Sequence, residues 1–294
     1  MTLTFTLTEH ASTPKLPDSQ GEDRLLNTLT ADDGFLRCCA VVDGATDKSG
    51  RDYGGLSGGA RAADRIVTTL QNLSADSTAV GILDAVTGGL AALRTEWGIA
   101  ADDLLAPSAV VAILLPDRRQ IMRVGDVHIG IRRRNGAWEY FPAEKEIDGV
   151  VASARAALLH ALRADGADPA DLARTDPGRA MMMPLLRVQN SLANRDGSPY
   201  GFGVLDGRPV PYRYLEIIEL DDTVTEIVLA SDGYLSAAPT LEGAERELAD
   251  DLTADPLRIG LHASTKGIGS GASRFDDCTY ARLVAPGTDS RTAG

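Results

Sequence analysis

Apolar residues alternate with threonine over residues 2–9, the period-two pattern of a half-buried strand. Residues 35–43 (FLRCCAVVD) form a mostly apolar run ending at Asp43-Gly44, which predicts a buried strand that opens into the Gly-, Asp- and Ser-rich loop 44–59. Ala60, Ala63, Val67 and Leu70 then recur at helical spacing, as do Leu83, Val86, Leu90, Leu93 and Trp97. These are two amphipathic helices, expected to lie side by side. Residues 107–141 read as a strand meander over Val110–Leu115, Ile121–Val124, Val127–Arg134 and Trp138–Phe141. Pro116-Asp117, Gly125-Asp126 and the hairpin signal Asn135-Gly136 separate its strands. A mixed segment at about 143–210 holds helices at Val150–Leu162 and Ala180–Leu192. Strands follow at Tyr212–Glu219 and Thr225–Ala230, then a helix at Leu241–Leu252, a glycine-rich loop and a last strand near Thr279–Val284. Strands and helices come in blocks without βαβ alternation, so the class is α+β with antiparallel sheets. One domain over 1–286 is expected, with a disordered tail at 287–294.

Composition narrows the function. The 294 residues carry 29 basic and 42 acidic side chains, a formal charge of −13, and the acid is 30 Asp against 12 Glu. Aspartate suits turns, caps and metal loops more than helix surfaces. The charge argues against a nucleic-acid or anionic-membrane partner, because phosphate surfaces repel such a protein. Action on a phosphate would need metal ions or a local group of bases. Cys38, Cys39 and Cys278 lack zinc spacing and read as buried free thiols. With no signal-peptide pattern at the N-terminus and no long apolar span, a cytoplasmic protein is expected. The bases are 25 Arg and only Lys15, Lys48, Lys145 and Lys266, a bias read as genome composition without functional weight.

Acids beside glycine fall at successive strand ends: Gly21-Glu22-Asp23, Val42-Asp43-Gly44, Gly125-Asp126 and Ser231-Asp232-Gly233, with Asp276-Asp277 before the last strand. Each strand would deliver a carboxylate to one edge of a sandwich, and glycine lets the backbone turn tightly there. Clustered carboxylates repel, so they need protons or hard divalent cations, and oxygen-only donors fit Mg²⁺ or Mn²⁺. One such motif is ordinarily a turn; the series in this order is specific.

The series GEDR, VVDGA, RVGDVHIG, LASDGY and FDDCTY resembles the metal-dependent protein phosphatases (PPM, the protein phosphatase 2C type) over about residues 3–285. The resemblance implies a four-layer α-β-β-α sandwich with a flap-like insertion at about 143–210. It implies Asp43 as the ligand bridging two ions, with Gly44 offering its carbonyl and Glu22 binding the second ion. Asp232 and Asp276 would bind the first ion, and Asp126 would help hold a third. Asp23 would orient the water that attacks phosphorus, making Asp23 and Asp43 the catalytic residues. Asp277 reads as a hydrogen-bonding neighbour. The implied activity is hydrolysis of a phosphomonoester by a metal-bridging water, on phosphoserine or phosphothreonine in proteins. Alternatives are a small-molecule phosphatase or a catalytically weak regulatory module.

Three departures bear on those alternatives. No His follows Asp43-Gly44, and Lys48, Asp47, a water or His128 would have to serve. No Arg precedes Glu22 at the phosphate-gripping position, which leaves Lys15, Lys48 or Arg51. The segment 181–209 is unusual, and its Arg187, Gln189, Asn190 and Tyr200 are candidate ligand contacts. The glycine-rich GGLSGGA (54–60) lacks the Lys-Ser/Thr of a P-loop and reads as a packing device between the Asp43 loop and the following helix.

Overall fold

The computed structural model describes residues 4–286 except 31–33, 35, 75, 143 and 144, so the expected tail at 287–294 lies outside the described residues. The strands are β1 (Thr6–Thr13), β2 (Arg24–Leu29), β3 (Leu36–Gly44), β4 (Ala109–Leu115), β5 (Gln120–Val124), β6 (His128–Arg133), β7 (Trp138–Phe141), β8 (Glu216–Glu219), β9 (Val224–Ala230) and β10 (Cys278–Val284). The helices are α1 (Gly58–Gln71), α2 (Ala79–Glu96), α3 (Glu146–Ala164), α4 (Pro169–Thr175), α5 (Pro177–Val188) and α6 (Leu241–Ala254). They build two five-stranded sheets, ordered β1-β10-β9-β6-β7 and β2-β3-β4-β5-β8, with every pair antiparallel.

Alternation explains the layering. In β3, Cys39 and Val41 point between the sheets, where they meet Ala112, Leu114, Ile129, Leu229 and Leu283. Cys38, Ala40 and Val42 point the other way, onto Ala62, Ile66, Val86 and Leu90 of α1 and α2. Both faces of β3 are therefore buried, and the strand reads as a continuous apolar run. Trp138–Phe141 and Thr6–Thr13 lie at the edges of their sheet and bury much less. The outer face of that sheet packs Val228, Ala230 and Tyr280 against Tyr234, Ala237 and the α6 residues Ala244 and Leu248. The helix α6 and the loop before it cover this face.

The segment between β7 and β8 carries α3, α4 and α5. Ala156, Leu159 and Leu172 form a small cluster with Leu257 and Ile259. Arg155 holds it in place. Its side chain is 1% exposed. It donates to the Asp176 carboxylate at 2.9–3.1 Å and to the carbonyls of Leu257, Arg258 and Ser264 at 2.9–3.1 Å. Arg155→Ala strands Asp176 and three buried carbonyls, and a loss of about 3–5 kcal/mol of stability is expected in urea denaturation. A loss under about 1 kcal/mol, the level of an exposed ion pair, would contradict this role.

Candidate metal centre and its cavity

The acidic motifs arrive at one place by different elements. Asp43 closes β3, Asp126 follows β5 in the turn where Gly125 takes φ +92°, and Asp232 follows β9. A side chain at Gly125 would strike Val110, so the turn needs glycine. Gly44 and Gly59 approach so closely that a Cβ on Gly44 would lie 2.7 Å from the Gly59 carbonyl. The glycine-rich stretch thus seats the start of α1 on the Asp43 loop. Ser57 caps α1 through the Ala60 amide and donates to Glu22 Oε1 at 2.7 Å.

Glu22 and Asp23 are buried, and Asp277 fixes the backbone that carries them. The two Asp277 oxygens accept from the amides of Lys15 at 2.7 Å and Glu22 at 2.5 Å. That is the hydrogen-bonding place expected of Asp277. Asp23 Oδ2 is buried without a hydrogen-bond partner. Burial first, then the charges of Asp276 and Asp277, push the Asp23 carboxyl up to about 7 against an ordinary 3.8. Asp43 is raised further by burial and by Asp23, Asp232, Asp276 and Asp126. Asp126 is raised by burial. Asp232 rises through desolvation and the charges of Asp126 and Asp276, although its own surface stays open toward the cavity.

Two lysines neutralise part of this charge. Lys15 Nζ donates to Glu22 Oε2 at 2.8 Å and Asp276 Oδ1 at 3.2 Å. Lys266 pairs with the other Asp276 oxygen and reaches Thr46 Oγ1 at 3.5 Å. Burial alone would raise Asp276, but Lys266 and Lys15 hold it at about 2. As these side chains stand, no three acids, histidines or cysteines among the described residues converge closely enough to hold one ion. The donor chemistry nevertheless fits a divalent cation. Asp43, Asp126 and Asp232 press their charge on one another, Asp23 keeps an unpartnered oxygen, and no cysteine or histidine is among the described residues that line the cavity. Coordination would require Lys15 and Lys266 to release Glu22 and Asp276.

Above the acids lies a cavity of about 600 Å³. Asp43, Gly44, Asp126, Asp232 and Asp276 line its base, and Lys48, Lys145, Lys266 and Arg179 stand in its walls. All four lysines of the chain therefore gather here, Lys15 among the acids and three around the cavity. Lys266 was missed by the motif reading, and the rarity of lysine was the signal for it.

The other candidates are distributed unevenly. Gln189 and Asn190 line the cavity; Arg187 and Tyr200 do not. Arg51 is spent on Asp103 at the surface. His128 does not line the cavity either. Its neighbours Val127 and Ile129 face between the sheets, so His128 faces outward, with Nδ1 2.9 Å from the Tyr140 hydroxyl. Burial pushes it down to about 4. Asp126 lies in the turn before β6, while His128 begins the strand.

No protein-family model matches the chain, and no curated protein matches it. Solved structures do. A Mycobacterium tuberculosis serine/threonine phosphatase, PstP/Ppp, superposes at a TM-score of 0.50 with 14% identity, covering 96% of this chain and 99% of that one. The serine/threonine phosphatase Stp1 from Staphylococcus aureus gives 0.51 with 15% identity and 97% coverage of each chain. This chain has the PPM phosphatase fold. The PPM resemblance thus holds at the level of architecture, with the two sheets face to face and the Asp43, Asp126 and Asp232 turns at one edge. Among the described residues no helix is long and apolar enough to cross a membrane.

Proposed function

We propose that this protein is a divalent-metal-dependent phosphomonoester hydrolase. The observation that carries the reading is the convergence of Asp43, Asp126, Asp232 and Asp276 on the base of one cavity, with Glu22 and Asp23 beside them. Glu22, Asp43 and the Gly44 carbonyl would hold one Mg²⁺ or Mn²⁺ ion, and Asp43, Asp232 and Asp276 another; Asp126 with Asp232 would take a third. Bound there, such ions lower the pKa of water and offset phosphate charge. Asp23 accepts a hydrogen bond from the attacking water through its free oxygen and orients it. Lys15 and Lys266, once off Glu22 and Asp276, are placed to pair with phosphate oxygens. The test is hydrolysis of p-nitrophenyl phosphate with and without Mn²⁺; a rate indifferent to both metal and EDTA would sink the reading.

The names of the matching folds support phosphoserine or phosphothreonine as the substrate. A second reading, a small phosphorylated molecule, is favoured by the basic walls of the cavity.

The lysines make a separate expectation. Removing a positive charge from the site should tighten cation binding, and Lys266→Ala is expected to lower the Mn²⁺ Kd by about tenfold. Titration calorimetry reads this without turnover, and weaker binding in the variant would assign Lys266 a supporting role instead.

A further inference from the structure

The cations around the cavity are not equivalent. Lys145 pairs with Asp148 at 2.8 Å and lies over the Phe202 ring at 4.2 Å. Lys266 pairs with Asp276, Arg208 with Asp206, Arg213 with Asp196 and Arg258 with Asp251. Arg123 is tied to Glu216 and to the carbonyls of Val127, Phe141 and Pro142. Lys48 and Arg179 differ: among the described residues neither makes an ion pair. Lys48 Nζ donates to the Thr46 carbonyl at 3.2 Å. Arg179 donates to the Thr265 carbonyl at 2.9 Å. The carboxylate nearest Arg179 in the chain, Asp176, is already engaged by Arg155.

Both are partly buried, and the charges around Lys48 are mostly of its own sign. Burial, then Lys145 and Arg179, lower its ammonium to about 8. Burial likewise lowers Arg179, outweighing the more distant pull of Asp176, Asp276 and Asp148. A chain of net charge −13 has acids to spare, yet among the described residues gives neither of these two cations an ion pair. Desolvated charges without a partner cost stability, and a site that keeps them is arranged for an anion from outside. The acids at the base of the cavity, through metal, would account for one phosphate. Lys48 and Arg179, in the walls, are left for another.

We propose that Lys48 and Arg179 form a second anion subsite, and that the substrate is a small molecule carrying a second phosphate besides the one that is hydrolysed. This rests on the phosphatase reading and names its substrate class. The size of the cavity favours a small molecule over a peptide. Ala152 of α3, Leu186 of α5, Phe202 and Ser264 line the cavity together with the charged residues. Its volume of about 600 Å³ lies within the small-ligand range of about 300–1,000 Å³.

The experiment uses the full chain carrying Asp23→Asn, which leaves every proposed metal ligand in place and slows consumption of the ligands, in the presence of Mg²⁺. Calorimetry compares glucose 1,6-bisphosphate with glucose 1-phosphate as probes differing in one phosphate. The bisphosphate is expected to bind about tenfold more tightly or better, as a charged hydrogen-bonded contact requires. Lys48→Ala and Arg179→Gln should each remove most of that advantage while the melting temperature stays within a few degrees. Equal affinity for the two probes, or an advantage that survives both substitutions, overturns the subsite. A phosphoserine peptide flanked by acidic residues that binds as tightly, with the same dependence on Lys48, overturns the small-molecule assignment. A wild-type protein that fails to hydrolyse p-nitrophenyl phosphate defeats the hydrolase reading instead, and leaves the binding difference intact.

Discussion

Asp43→Asn is expected to lower Mn²⁺-stimulated hydrolysis of p-nitrophenyl phosphate by about a thousandfold or more, equivalent to ~4 kcal/mol of barrier. Asp43 stands at the end of β3 and feels Asp23, Asp232, Asp276 and Asp126 together, so it is the acid on which the whole cluster bears. Asparagine keeps the size and one oxygen but removes the charge two cations would share. The variant should fold, because the loss of a repelled carboxylate relieves the cluster. Asp126→Asn should be milder, since Asp126 meets Asp232 at the side of the group and would serve only a third ion. The comparison is informative because both variants remove one charge from the same cavity. Equal losses in the two would point to net charge as the determinant; retained activity in Asp43→Asn would remove the site assignment altogether.

The parts of this arrangement that sequence could reveal are those written locally. Val41-Val42-Asp43-Gly44 is legible because a strand buried on both faces must be apolar until it leaves the sheet, and the acid marks the exit. The same holds for Ala230-Ser231-Asp232 after β9. β2 was not read as a strand. Its sequence RLLNTL does not alternate, because Leu26 packs toward the helices and Leu25 between the sheets, so adjacent apolar residues serve opposite faces. α4 is short and begins at Pro169 behind the Asp168 cap, a local signal overshadowed by the alanine-rich helix before it. Residues whose meaning is tertiary were the least legible. Lys266 lies in a glycine-rich loop that no periodicity describes, and only folding brings it to Asp276. Lysine and arginine are not interchangeable where a compact ammonium must sit between carboxylates. In an arginine-rich chain, the few lysines that remain therefore carry information about position.

Stability without metal should fall as pH rises from about 4 to about 7, and Mn²⁺ should reverse the trend. Asp23 is held up to about 7 against 3.8, so the folded protein keeps a proton there that the unfolded chain has lost. Where the folded state binds more protons, raising pH destabilises it. Asp43 and Asp232 are raised in the same direction by their mutual charges and burial. Two groups work against the trend, Asp276 below this window and His128 within it. Asp276, lowered to about 2, contributes stability that is lost only as pH falls below 3.8. His128, lowered from 6.5 to about 4, gains stability as pH rises between those values. Asp23→Asn isolates the term of interest: it removes the Asp23 proton and leaves His128 untouched. In EDTA, the melting temperature of the wild type is expected to drop relative to Asp23→Asn by about 5 °C between pH 4 and pH 7. Divalent ions favour the deprotonated acids, so the rise in melting temperature on adding Mn²⁺ should be larger at pH 8 than at pH 5. Parallel pH profiles for wild type and Asp23→Asn would remove Asp23 as a buried proton carrier. A Mn²⁺ effect that is absent at every pH would remove metal binding, and with it the physical reason for gathering these carboxylates beside Lys15 and Lys266.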